Sequence, residues 1–362
     1  MPAPPPLLVL VSMFAAGPAG GITAFHLDPA AGTLTPAAAT AACPHSFFLT
    51  LSPDRRTVYA VTAEQFGRVE TEEVGAWRLA GRDAPLVPLG RRPAGGAATC
   101  FVAATPDGRT LLLAHYSGGS IATLPLAADG SLDGDPVLTR HAGSGKDPGR
   151  QEGPHPHAII PAPRSAAGPQ FVYAADLGCD AIFGYRLDAA PGGLVAADPP
   201  AVGSRPGAGP RHLAFHPDGR RLYAINELDN TVALHDFDAA TGRLVARQVV
   251  PTLPEDFRGR SFTADVKLTP DGRFLYGTNR GHDSIAVFRV AADGLLTPVE
   301  IVPSRGTGPQ HLAITPDGGL LLCANMPGGC LTVFRIDPAT GRLTAVGEKV
   351  PVTAPSCIAL VP

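Results

Sequence analysis

The chain has 362 residues, a formal net charge of −3 and 44% hydrophobic residues, with 42 glycines and 39 prolines. It carries no basic run, which argues against nucleic acid or an anionic membrane as a partner. No apolar stretch reaches the length that spans a bilayer, and six cysteines scattered without paired spacing point to reduced, buried thiols in a cytoplasmic protein.

In chain order, residues 7–13 form an apolar run. A secretory signal would carry a basic residue ahead of such a run, and none is present, so 7–13 is expected to be a strand, followed by another at 21–27. A phrase then begins to recur: an alternating apolar run, Pro-Asp-Gly or a close variant, and a second apolar run. It stands at Pro53-Asp54, Pro106-Asp107-Gly108, Pro217-Asp218-Gly219, Pro270-Asp271-Gly272 and Pro316-Asp317-Gly318, with a degraded copy near Pro161-Ala162-Pro163. The interval of about fifty residues is the mark of a repeat architecture. The stretch 65–75 in the first copy is irregular.

The copy at Pro217 shows what one repeat contains. Residues 211–216 and 221–226 read as strands around a tight turn, 231–237 as a third strand and 244–250 as a fourth. Proline presets φ at the turn, and Asp and Gly supply the side-chain acceptor and the permissive backbone after it. Each repeat is thus a four-stranded antiparallel meander that must stack on its neighbours, which predicts an all-β propeller. Residues 356–362 read as a first strand ending at a proline, so the last blade takes its other strands from the N-terminus. The prediction is a seven-bladed propeller, a single domain over 1–362, closed by both terminal strands.

The turn proline also serves as a ruler. In a simple hairpin a residue six before it lies beside a residue ten after it, at one mouth of the central channel. His157 and Arg211 stand six before, and Glu227 and Arg280 ten after, in three consecutive repeats. The same places elsewhere hold Phe47, Cys100, Gln310 and Ser356, or Ala63, Tyr116 and Met326. His157, Arg211, Glu227 and Arg280 are therefore the candidate catalytic residues, set against the alternative of a rim salt-bridge network. His155, His212, Asp265 and Asn279 are the neighbouring candidates for substrate binding. His212 and Asp265 share a column five before the proline and could equally be satisfied strand ends. Asn226, Asn279 and Asn325 recur with Asp176 as structural turn residues would. His155-Pro156-His157 lacks the ligand set of a metal site, and no metal or cofactor is expected. The polar insert 142–153, with Lys146, Arg150 and Glu152, leads straight to His155 and could be a solvated loop or a lid over the mouth. There is no Gly-x-Ser-x-Gly elbow and no phosphate loop.

The strings Gly153-Pro154-His155-Pro156-His157-Ala158, Gly209-Pro210-Arg211-His212 with Asn226-Glu227, and Pro270-Asp271-Gly272-Arg273-Phe274 through Asn279-Arg280-Gly281-His282-Asp283-Ser284-Ile285 resemble the seven-bladed propeller lactonases. That family includes bacterial 6-phosphogluconolactonases and fungal carboxymuconate lactonizing enzymes. The resemblance covers nearly the whole chain. It implies a site of one His, two Arg and one Glu, on His157 (or His155), Arg211, Arg280 and Glu227, and an anionic small-molecule lactone as substrate. The implied reaction is hydrolysis of 6-phospho-D-glucono-1,5-lactone to 6-phosphogluconate in the pentose phosphate pathway. In such a reaction His157 or Glu227 could take the proton of the attacking water, the favoured arrangement being that Glu227 holds an arginine while His157 handles the proton. A lactonizing cyclase or isomerase acting on a dicarboxylate, or a non-enzymatic propeller scaffold, are the other readings. A monomer or weak homodimer is expected. The N-terminal half is the less typical part, with Ser12-Met13-Phe14 where the family has a Gly-Thr-Tyr turn.

Overall fold

A computed structural model describes residues 6–164, 168–188 and 193–362; residues 1–5 of the predicted domain lie outside it, as do 165–167, beside the degraded turn. Seven four-stranded antiparallel sheets follow one another along the chain. The only helical pieces among the described residues are two short 3-10 turns, Gly17–Ala19 and Val69–Thr71. The repeat read from the turns is the fourth blade, with strands Pro210–Phe215, Arg221–Asn226, Thr231–Asp238 and Arg243–Pro251. The seventh blade joins Pro355–Val361 to Leu7–Met13, Gly21–Asp28 and Thr33–Ala42, in that order.

The recurring turn has a defined hydrogen-bond cause. At Pro217 the preceding residue is His216, whose Nδ1 lies 2.9 Å from Asp218, but in the other four copies the hydroxyl before the proline, on Ser52, Thr105, Thr269 and Thr315, donates to the turn aspartate at 2.6–2.7 Å. The same Asp oxygen accepts the backbone N–H two residues on, at Arg56, Arg109, Arg273 and Gly319. Each turn thus satisfies its own polar groups and leaves the flanking apolar runs free to pair.

Second strands are sealed between blades; every residue of Thr57–Ala63 and of Leu320–Asn325 is buried. A tyrosine in four of them reaches the next blade. Tyr59, Tyr223 and Tyr276 donate to the carbonyls of Gly130, Gly294 and Gly341 at 2.8–2.9 Å, and Tyr173 does the same to Gly242. The accepting glycines all have positive φ, the conformation their hairpins need. Five of the six cysteines are buried and Cys179 is half-buried; all are free. No helix among the described residues is long and apolar enough to cross a membrane.

One correction concerns register. The simple hairpin that would pair Arg211 with Glu227 is interrupted by a β-bulge: Pro210 pairs with Asn226 and His212 with Ile225, leaving Arg211 as the extra residue. The same irregularity leaves Cys100, His157 and Gln310 unpaired in their blades. A bulge re-aims side chains that strict alternation would send to opposite faces. That is why adjacent Arg211 and His212 are in contact with each other and both are buried.

Candidate functional site

Glu227 is the centre of the predicted cluster. It follows the strand Arg221–Asn226, and its backbone N–H bonds Gly209 O at 2.7 Å, which places its side chain beside the bulge. Its carboxylate receives three guanidinium groups. Arg211 Nε reaches Oε2 at 2.9 Å, Arg280 Nη2 reaches Oε2 at 2.9 Å, and Arg150 Nη2 reaches Oε1 at 2.6 Å. Burial by itself would raise this carboxyl, but Arg280 and Arg211, with Arg150, outweigh it and hold the group at about 2. Glu227 is therefore an anionic anchor at any working pH and a poor proton acceptor.

Arg211 is 1% exposed and tightly held. Its Nη1 donates to His212 Nε2 at 3.0 Å and to Ala264 O at 2.5 Å. Burial and the neighbouring Arg280 lower its pKa to about 10, so it remains a cation at neutral pH. Among the described residues, Arg211 Nη2 and Arg280 Nη1 bond no protein atom, so both keep a donor for a ligand. Arg280 is otherwise steadied by the carbonyls of Phe262 and Thr263.

His157 is buried in the preceding blade, with Nδ1 3.6 Å from Cys100 Sγ. Its ring meets Tyr116 edge-on at 5.4 Å and His212 at 5.5 Å. Burial first, then the charge of Arg211, pushes its pKa well below the usual histidine value, so the imidazole is neutral. His155 stacks on Tyr116 at 4.5 Å, and its ring nitrogens meet Tyr116 O and Glu152.

The other candidates lie deeper. Asp265 Oδ1 accepts His212 Nδ1 at 2.9 Å, and its two oxygens also take Lys267 Nζ at 2.7 Å each and the N–H of Leu312. Because Arg211 must donate to Nε2, the proton of His212 sits on Nδ1, facing Asp265. Burial, then Arg211, lowers His212 to about 4. Phe48 and Phe101 lie tilted against each other with ring centroids 4.3 Å apart, and His212 and His311 meet them rim to face at 5.3–5.8 Å, forming a layer across the channel. A cavity of about 420 Å³ borders this layer on its other side, lined by Phe48, His311 and Pro53 of the first turn, and therefore opens toward the turn mouth. Asn279 is fully buried, and its amide is spent on Thr252 and Ser284, with no surface toward the cluster. Asn226 and Asn325 bond Thr231 and Thr332 in the same manner.

Arg150 and Tyr116 are the residues that the repeat-based reading did not place in the cluster. Arg150 belongs to the insert 142–153, which Gln151 fastens to Leu177 O and Asp180, and its Nη2 also meets the Tyr116 hydroxyl at 3.3 Å. The insert thus lies over the mouth. Its one sequence signal was position, directly ahead of His155. Among the described residues no group of His, Cys, Asp and Glu is arranged to hold a metal ion.

Three guanidinium groups against one carboxylate leave an excess of positive charge beside a neutral imidazole, an arrangement suited to an anionic molecule whose carbonyl oxygen gains charge during reaction. Comparison with known proteins gives the family. The family described as "Lactonase, 7-bladed beta-propeller" matches residues 8–360. A 6-phosphogluconolactonase of Bacillus subtilis (strain 168) is 32% identical over 350 residues, covering 96% of each chain. One from Formosa agariphila is 28% identical over 349 residues, 94% of this chain and 95% of that one. The solved structure of the periplasmic gluconolactonase of Pseudomonas aeruginosa superposes with a TM-score of 0.90 at 32% identity, over 98% of this chain and 99% of that one.

Proposed function

The chain belongs to the seven-bladed β-propeller lactonase family of lactone-hydrolysing enzymes, and from that premise we propose that its substrate is 6-phospho-D-glucono-1,5-lactone, opened to 6-phosphogluconate. The observation that carries this reading is the grip of Glu227 on Arg150, Arg211 and Arg280, which leaves two net positive charges where an anionic lactone would dock.

In the proposed mechanism a water attacks the lactone carbonyl as His157 takes one of its protons. The resulting oxyanion lies against the remaining donors of Arg211 and Arg280, where preorganised cations stabilise it without rearrangement. The tetrahedral intermediate collapses with cleavage of the bond to the ring oxygen, which leaves as a hydroxyl after receiving the proton back from His157. Water is added across one C–O bond, and no other reactant is consumed. Glu227 keeps the arginines in place, and His212 with Asp265 fixes Arg211 from beneath.

Similarity to a gluconolactonase favours a second reading, in which the natural lactone carries no phosphate. Hydrolysis of 6-phosphogluconolactone and of gluconolactone by the purified protein, measured side by side, decides between them. A kcat/KM at least tenfold higher for the phosphorylated compound supports the first, and equal values support the second. Full activity in both Arg211→Ala and His157→Ala would overturn the residue assignment.

A further inference from the structure

The cations at the mouth step outward in exposure. Arg211 is 1% exposed, whereas the side chains of Arg280 and Arg150 are 25% and 30% exposed. A further arginine continues the series. Phe262, half-buried at the start of the strand Phe262–Leu268, has the Arg150 guanidinium carbon 5.5 Å from its ring centroid and that of Arg260 at 4.9 Å. Its carbonyl accepts Arg280 Nε at 3.4 Å. One residue therefore gathers guanidinium groups from three separate segments: the insert 142–153, the connection ahead of the fifth blade, and the end of the strand Phe274–Arg280.

Glu227 answers Arg150 and Arg280, but no carboxylate answers Arg260. Arg260 is exposed and forms no ion pair among the described residues, although Glu255 and Asp256 stand on the same connection. An aromatic face holds a guanidinium in a defined plane while leaving its edge donors for another partner. A water molecule and a lactone carbonyl do not require this much charge, and the surplus lies at the rim, outward of the buried Arg211.

We propose that Arg150 and Arg260, flanking Phe262, form a rim subsite for a phosphomonoester carried by the lactone at a position remote from its carbonyl. This rests on the lactonase reading above and extends it by naming the groups that select a phosphorylated substrate. Phosphate is matched by the planar, bidentate donor edge of arginine. Binding energy from such a remote group can orient the carbonyl between Arg211 and His157, and so favour the phosphorylated lactone in kcat/KM.

The experiment compares wild type with Arg260→Gln and Arg150→Gln, all checked for an unchanged melting profile, on 6-phosphogluconolactone and gluconolactone. The ratio of kcat/KM for the phosphorylated over the unphosphorylated lactone is expected to fall about tenfold or more in each variant. A ratio within twofold of wild type in both overturns the subsite. Should the wild type hydrolyse neither lactone, the lactonase reading fails by itself, and the subsite is then judged with inorganic phosphate as probe. Calorimetric affinity for phosphate is expected to drop about tenfold in Arg260→Gln, and an affinity equal to wild type, or no binding by wild type, overturns the inference.

Discussion

Arg211 donates from Nη1 to Nε2 of His212, the residue that follows it on the same strand, at 3.0 Å. The β-bulge makes this contact available, and Asp265 fixes its direction by taking the proton on the opposite nitrogen.

Asp265→Asn should therefore act on Arg211 at two removes. An amide offers one acceptor oxygen where the carboxylate gives two, so either His212 or the Leu312 N–H is left facing an N–H donor. Lys267 also loses its counter-charge. The variant is expected to be destabilised by about 3 kcal/mol, as for other broken buried charge pairs, and to show a lower kcat at unchanged fold. Urea denaturation and steady-state kinetics check both effects. Asp265→Ala, which removes the acceptor altogether, should lose still more activity than Asp265→Asn.

The pH profile tests His157. Burial and the nearby Arg211 push its pKa well below the ordinary histidine value, and the group must be neutral to accept a proton, so activity should be lost only as pH falls through that lowered value. The acid limb of kcat/KM is thus expected below 6.5, with a plateau through neutrality. Gluconolactone is the substrate to use, because a phosphate ester titrates near 6 on its own account. His157→Gln should reduce kcat by roughly a hundredfold or more, the usual scale for general acid-base catalysis.

Much of this is legible in the sequence alone. The turn phrase marked the blades because its physical cause, a hydroxyl and an aspartate closing the turn, is local in sequence. Arg211, Glu227 and Arg280 were placed together because they stand at fixed distances from that turn. Arg150 was not, since it sits in an insert with no repeat position, and only the docking of Gln151 onto Leu177 and Asp180 carries it to Glu227. For His212 and Asp265 the shared column leaves open a place beside a ligand or a satisfied strand end, and the structure has them bonded to each other beneath Arg211. Asn279 has a side chain suited to binding, but its position at a strand end commits it to Thr252 and Ser284.

Tyr276→Phe isolates the contact between successive blades. The phenol donates to Gly341 O at 2.9 Å in a buried position, so the variant leaves that carbonyl without its partner. A loss of about 1–2 kcal/mol is expected, read as a lower denaturation midpoint. Since Tyr276 lies away from the arginines, kcat should stay as in wild type.

Acid stability should be dominated by buried histidines. Burial lowers His115 and His235 to about 4, and burial with Arg211 does the same to His212. Between the unfolded value of 6.5 and 4 the unfolded chain binds protons that the folded chain refuses. Stability is thus fully present above 6.5 and is lost as pH falls through this window, by up to about 3 kcal/mol for each group. His235, buried with Nδ1 unpartnered and far from the site along its sheet, is the one to replace. His235→Gln is expected to flatten the change in urea midpoint between pH 7 and pH 5; an unaltered slope would assign the acid sensitivity elsewhere.

The seam of the ring also governs when the molecule can be finished. Ser356 donates to Ser12 O across 344 residues of chain, and Leu8 to Val11 pair with strand Pro355–Val361. On a ribosome, those first residues appear early and their partner strand appears only after every other blade has been made. Until then the growing arc carries an unclaimed apolar edge, open to the same edge on a neighbouring nascent chain. Completion is a single late event, and slow synthesis or a break anywhere before the final strand exposes the N-terminal edge for longer.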